Sequence, residues 1–150
     1  MSSKARVFLS FDVAHDRDLY ARLLAEAKQG AWFSIDSCSA EPAEHTANDE
    51  RVRARIAAVD AVIVICGEHT DECASVSAEL LMTREEQKPH LLLWGRREVM
   101  CKMPAGSRSH DSMYGWTPHI LQSQLQALLR VPRDVPDHLR KQAGASKPLA

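Results

Sequence analysis

When a glycosidic bond breaks, positive charge develops on the sugar, and one carboxylate held beside it can stabilise that charge. Glu79 is the acid in this chain whose surroundings suit such chemistry. It lies in Ser75-Val76-Ser77-Ala78-Glu79-Leu80, on a predicted helix that follows the apolar run Ala61-Val62-Ile63-Val64-Ile65-Cys66. At about 100° per residue, Val76, Leu80 and Thr83 share one stripe of that helix, and Glu79 borders it alongside Ser75, a candidate binding residue. The pattern predicts a partly buried acid near the carboxyl end of a parallel sheet. The same residues admit a plainer reading, because Glu72, Glu79 and Glu86 recur at heptad spacing and would form one exposed acidic edge.

Other residues offer chemistry of their own. Ser10, Phe11 and Asp12 end the first predicted strand, where a hydroxyl and backbone amides suit a phosphate or ribose and an aromatic ring can stack on a base. The alternative is an ordinary strand end with Phe11 in the core. Cys66 ends the third strand before Gly67 and near His69, a placement open to a nucleophilic thiol or to a buried filler. Trp94 is a candidate pocket wall or core residue, and Tyr114 and Trp116 are a candidate lid or an anchor for the last helix.

Several chemistries lack their residues. None of Cys38, Cys66, Cys73 and Cys101 forms a Cys-x-x-Cys pair, and the seven histidines are dispersed, so no metal site and no dithiol redox site is expected. There is neither a Gly-x-x-x-x-Gly-Lys-Ser/Thr loop nor a Gly-x-Gly-x-x-Gly turn. A phosphorylated receiver would carry Asp where Cys66 stands.

Alternating apolar strands and amphipathic helices must position these groups. Strands are predicted over 5–11, 31–35, 60–66 and 90–94, with a possible fifth around Glu98–Cys101. Helices are predicted from about Asp16 to Gln29, along the stretch carrying Val52, Ile56 and Val59, from about Asp71 or Cys73 to Gln87, and after Thr117. Gly30 and Pro89 serve as stops, and Asn48 or Asp49, and Thr117, as caps. The apolar continuity of 60–66 predicts a central strand covered on both faces. The expected fold is an α/β, flavodoxin-like three-layer sandwich with a central parallel sheet, strand 1 beside strand 3. Ligands of such sheets sit at the carboxyl ends of the strands where the order reverses, which puts the 10–18 and 67–73 loops on opposite walls of one crevice.

At 150 residues the chain has the length of one domain, and a net charge of -1 provides no field for nucleic acid or anionic membrane. No apolar run approaches a membrane span and no leader pattern precedes the first strand, so a cytoplasmic protein with reduced thiols is expected. Residues 131–150, with Pro132, Pro136, Gly144 and Pro148, read as a loosely ordered tail.

Three segments together resemble a TIR domain, specifically the TIR-like branch of bacterial Thoeris-type antiphage systems. They are Arg6-Val7-Phe8-Leu9-Ser10-Phe11-Asp12, Ser34-Ile35-Asp36, and Val62–Cys66 followed by Ser75–Leu80. The resemblance runs over residues 4–130. It implies cleavage of the nicotinamide–ribose bond of NAD as substrate, with Glu79 at the family's catalytic position and no bound cofactor. ADP-ribose, a cyclic nucleotide or a conjugate would be the product. It also implies self-association into a homo-oligomer and a separate effector or sensor protein. A non-catalytic self-association or adaptor module is the alternative. The chain departs from the family in the loop after the second strand, which holds Pro42 alone, and in residues 96–116, which find no counterpart.

Overall fold

The computed structural model describes residues 5–30, 32–39, 50–108 and 111–129. The element order is β1 (Ala5–Ser10), α1 (Arg17–Gly30), β2 (Phe33–Cys38), α2 (Glu50–Ala57), β3 (Ala61–Cys66), α3 (Ala74–Glu85), β4 (His90–Trp94), β5 (Met113–Gly115) and α4 (Pro118–Leu129). The strands form one parallel sheet in the order β2-β1-β3-β4-β5, so the chain reverses direction across the sheet between β1 and β3. This is the flavodoxin-like order expected from the sequence.

Both faces of the sheet are covered. Val7, Leu9, Ile63, Ile65, Leu91 and Leu93 point to one side and pack with Leu19 and Leu23 of α1 and Leu121 and Leu125 of α4. Phe8, Val62, Val64 and Leu92 point to the other, against Val52 and Ile56 of α2 and Val76 and Met82 of α3. Alternation along each strand therefore fills two cores, and β3, buried at every position, has no polar face to show.

The helix ends follow local chemistry. The Asp16 carbonyl accepts the Leu19 and Tyr20 amides at the start of α1. Thr117 Oγ1 accepts the Ile120 amide at 3.1 Å and caps α4. The segment before α3 is less regular than expected. A 3-10 turn spans Thr70–Glu72, and Cys73 is extended before the α-helix begins. Gln87, at a φ of 56°, ends that region in the left-handed conformation.

Two strands differ from expectation. β2 lies further along than 31–35, because its pairing with β1 runs from Ala5↔Phe33 to Leu9↔Cys38, with a register shift between Val7 and Phe8 that skips Asp36. As an edge strand it carries Ser34, Asp36 and Ser37, which obscures it in an apolar scan. The fifth strand is Met113–Gly115, paired with β4 through Leu92↔Met113, and is not at Glu98–Cys101. Three residues joined to the sheet by backbone bonds leave no periodic trace. The expected caps Asn48 and Asp49, the Pro42 loop and the 131–150 tail lie outside the described residues.

Candidate functional site

Glu79 is fully buried, deeper than the partial burial expected of it. It projects from α3 toward the carboxyl ends of β1 and β2. Ser10 Oγ donates to Glu79 Oε1 at 2.6 Å, and Ser39 Oγ donates to the same oxygen at 2.7 Å. Ser39 Oγ also accepts the Phe11 amide at 3.0 Å, and the Ser39 amide donates to the Leu9 carbonyl at 3.0 Å. One polar network thus joins the last residue of β1, the residue after β2 and the second turn of α3. Burial pushes the Glu79 carboxyl up to about 7, against the opposing pull of the Ser10 and Ser39 hydroxyls. At neutral pH it sits between a neutral acid and a carboxylate. The exposed acidic edge suggested by heptad spacing is not formed, since Glu72 is exposed and Glu86 bonds to Arg53 at 3.4 Å across the α2–α3 gap.

The other expected site residues divide. Ser10 joins Glu79. Ser75 is half-buried one helical turn before Glu79, its hydroxyl 3.3 Å from Cys73 Sγ. Phe11 is a core residue, and its ring stacks on Tyr20 at 5.1 Å with the planes 3° apart. Asp12 bonds within its own loop. Its Oδ1 accepts the Ala14 amide at 3.1 Å and its Oδ2 lies 2.7 Å from His15 Nδ1. Ser39 is the member of the network that sequence reasoning passed over. Its only sequence signal is its place just past the strand that neighbours β1.

Cys66 is fully buried, and burial pushes its thiol well above the usual cysteine range. A thiol held protonated in a core is a poor nucleophile, so the structure speaks against cysteine chemistry there. Trp94 is half-buried against the α2–α3 core and donates to the Arg96 carbonyl at 2.6 Å. Trp116 is a core residue whose Nε1 donates to Glu26 Oε1 at 3.2 Å, with Arg22 4.1 Å above its ring. It anchors α4 to α1 rather than covering a cleft.

A crevice of about 230 Å³ lies between the loops after β1 and β3, lined by His15, Asp16, Glu68, His69 and Arg96. Its position matches the switch-point crevice expected from strand order. Glu79 is not among its lining residues. Asp16, nearly fully buried, accepts from Arg96 at 3.1 Å, and Arg96 also reaches Asp18 at 2.8 Å and the His15 carbonyl at 3.2 Å. Burial raises the Asp16 carboxyl while Arg96 opposes the rise. Asp18, more exposed, is held below the usual range by its bond to Arg96. Gly67 passes so close to Asp16 that an added Cβ would overlap the carboxylate. The His15 and His69 rings meet at 4.3 Å.

No protein-family model matches the chain, and no curated protein matches it. Among solved structures the fold is similar to the crystal structure of a prokaryotic SEFIR domain, with a TM-score of 0.55 and 15% identity, over 89% of this chain and 97% of that one. The likeness is one of architecture. It agrees with the flavodoxin-like sheet order and layer arrangement. Among the described residues, no helix is long and apolar enough to cross a membrane.

Proposed function

We propose that this protein is a TIR-like enzyme of the Thoeris antiphage type that cleaves the nicotinamide–ribose bond of NAD, with Glu79 as the carboxylate beside the ribose. The observation that carries the reading is a fully buried acid held by Ser10 and Ser39 at the carboxyl ends of β1 and β2. Burying a carboxyl group in a core costs stability even when hydroxyls partner it, and such perturbed acids gather at functional sites.

Nicotinamide departs as a neutral molecule from a cationic ring nitrogen, so the reaction needs no general acid for the leaving group. Charge develops on the ribose, and one ionised carboxylate stabilises it. In this reading Ser10 and Ser39 hold the Glu79 carboxyl in place and favour its charged form. Burial also means that the ribose reaches Glu79 only after the groups covering it move. The resting domain is then weakly active, and assembly or a trigger exposes the acid. Water as acceptor gives ADP-ribose; an internal acceptor gives a cyclic nucleotide that would serve a separate effector.

The test is nicotinamide release from NAD by the protein in dilute and in concentrated or crowded solution. Release abolished by Glu79→Gln supports the reading, and equal release from that variant removes Glu79 from the mechanism. Mass spectrometry of the products separates hydrolysis from cyclisation.

The crevice between the loops after β1 and β3 is not lined by Glu79, and that favours a second reading, a non-catalytic module that works by self-association or by docking a partner protein. It requires concentration-dependent oligomers insensitive to Glu79→Gln and no heat of NAD binding in calorimetry.

A further inference from the structure

We propose that the crevice between the β1–α1 and β3–α3 loops binds a first-row transition-metal cation, with His15 and His69 supplying the protein nitrogens. The proposal is independent of the Glu79 reading and concerns the other corner of the switch point.

Three observations on the two rings support it. His15 and His69 come from loops far apart in sequence, yet their ring centroids lie 4.3 Å apart with the planes at 32°. Each ring has a carboxylate at its Nδ1, Asp12 Oδ2 at 2.7 Å for His15 and Glu72 Oε1 at 3.4 Å for His69. A carboxylate that accepts the Nδ1–H of a neutral ring leaves the lone pair on Nε2, the arrangement that stands behind metal-bound imidazoles. Both side chains are about half exposed, at 52% and 48%, so the rings are open to an incoming ion.

Charge decides the sign of the ligand. Asp16 and Glu68 line the crevice, Asp12 and Glu72 stand beside the two imidazoles, and the Arg96 guanidinium is already engaged by Asp16 and Asp18. Asp16 contributes a buried carboxylate whose Oδ2 has no hydrogen-bond partner among the described residues. An anion meets a surplus of negative charge here, and a cation finds it favourable.

Among the described residues no group of three or more His, Cys, Asp or Glu is gathered for a metal. The site therefore offers two nitrogens and leaves the remaining positions to water or to an added ligand. Such a site is exchangeable, and it favours the late divalent ions Ni²⁺, Cu²⁺ and Zn²⁺ over Mn²⁺.

The experiment is a calorimetric titration of the whole chain with Ni²⁺, repeated on His15→Ala and His69→Ala, with melting curves to show that each variant is folded. One saturable site per chain is expected, weakened at least tenfold in each variant. His69→Gln provides a second test at that position should the alanine variant not fold. Titration with Co²⁺ adds a readout of ligand type. Absence of saturable binding to the wild-type chain overturns the proposal. So does undiminished binding in the histidine variants, or a cobalt–thiolate charge-transfer band that assigns the ion to cysteine.

Discussion

Ser39 and Glu79, far apart in sequence, meet through a hydrogen bond of 2.7 Å from the serine hydroxyl to Oε1. Through the same hydroxyl, Ser39 accepts the Phe11 amide, so the end of β2 is tied at once to β1 and to α3. The carboxyl of Glu79 is therefore held by the convergence of three elements rather than by its own helix, and its energetics report on all three.

Glu79 should make stability depend on pH. Its carboxyl is raised from 4.5 to about 7 by burial, so the folded protein holds the proton more tightly than the unfolded chain. The stability tied to the neutral acid is fully present below the unfolded value. It is lost as pH rises through the folded one, on the order of 3 kcal/mol in all. Glu79→Gln cannot ionise. Its melting temperature should stay flat between pH 5 and 8 where the wild type declines, and should exceed the wild type at pH 8. Parallel curves for the two proteins would show that Glu79 does not titrate in the folded state.

Ser39→Ala removes one donor from a buried carboxyl and one acceptor from the Phe11 amide. A loss of about 2 kcal/mol is expected in urea unfolding, as for buried groups left short of partners. Because the Ser39 hydroxyl favours the ionised form, its loss should also move the pH-dependent fall in stability upward. A variant with wild-type stability at both pH 5 and pH 8 would contradict the network.

Gly67→Ala places a methyl group against the Asp16 carboxylate, which is buried and bonded to Arg96. Something must shift to admit the methyl group, and a shift of the Asp16 carboxylate acts on its bond to Arg96. Destabilisation of about 1–3 kcal/mol is expected from overpacking, read as a lower urea midpoint at unchanged slope. An unchanged midpoint would mean that the two loops separate freely.

Thiol labelling should rank the cysteines by burial. Cys38 and Cys73 are partly exposed, whereas Cys66 and Cys101 are buried. In the native protein an aromatic disulfide reagent should modify the first pair and spare Cys66, whose thiol burial keeps protonated. Fast labelling of Cys66 would revive a nucleophilic role for it.

Much of this architecture was already legible along the chain. Apolar runs at 5–11, 60–66 and 90–94, separated by helical stripes, require a parallel sheet covered on both faces, because each strand must bury residues on two sides. Gly30, Pro89 and Thr117 mark ends through backbone geometry and hydrogen bonding that act over a few residues. Helical periodicity likewise set Glu79 at the border of a buried stripe.

Tertiary structure decided the rest, because the deciding contacts are not local. β5 exists through pairing with β4, and β2 is aligned by a register shift against β1, neither of which leaves a repeating side-chain pattern. Phe11 went to the core because Tyr20 offered it a stacking face. Glu79 is fully enclosed because Ser10 and Ser39 arrive from neighbouring strands, and His15 meets His69 because β1 and β3 are adjacent. Local spacing can nominate an acid, but burial and partners come from strand order, which brings distant residues within bonding distance.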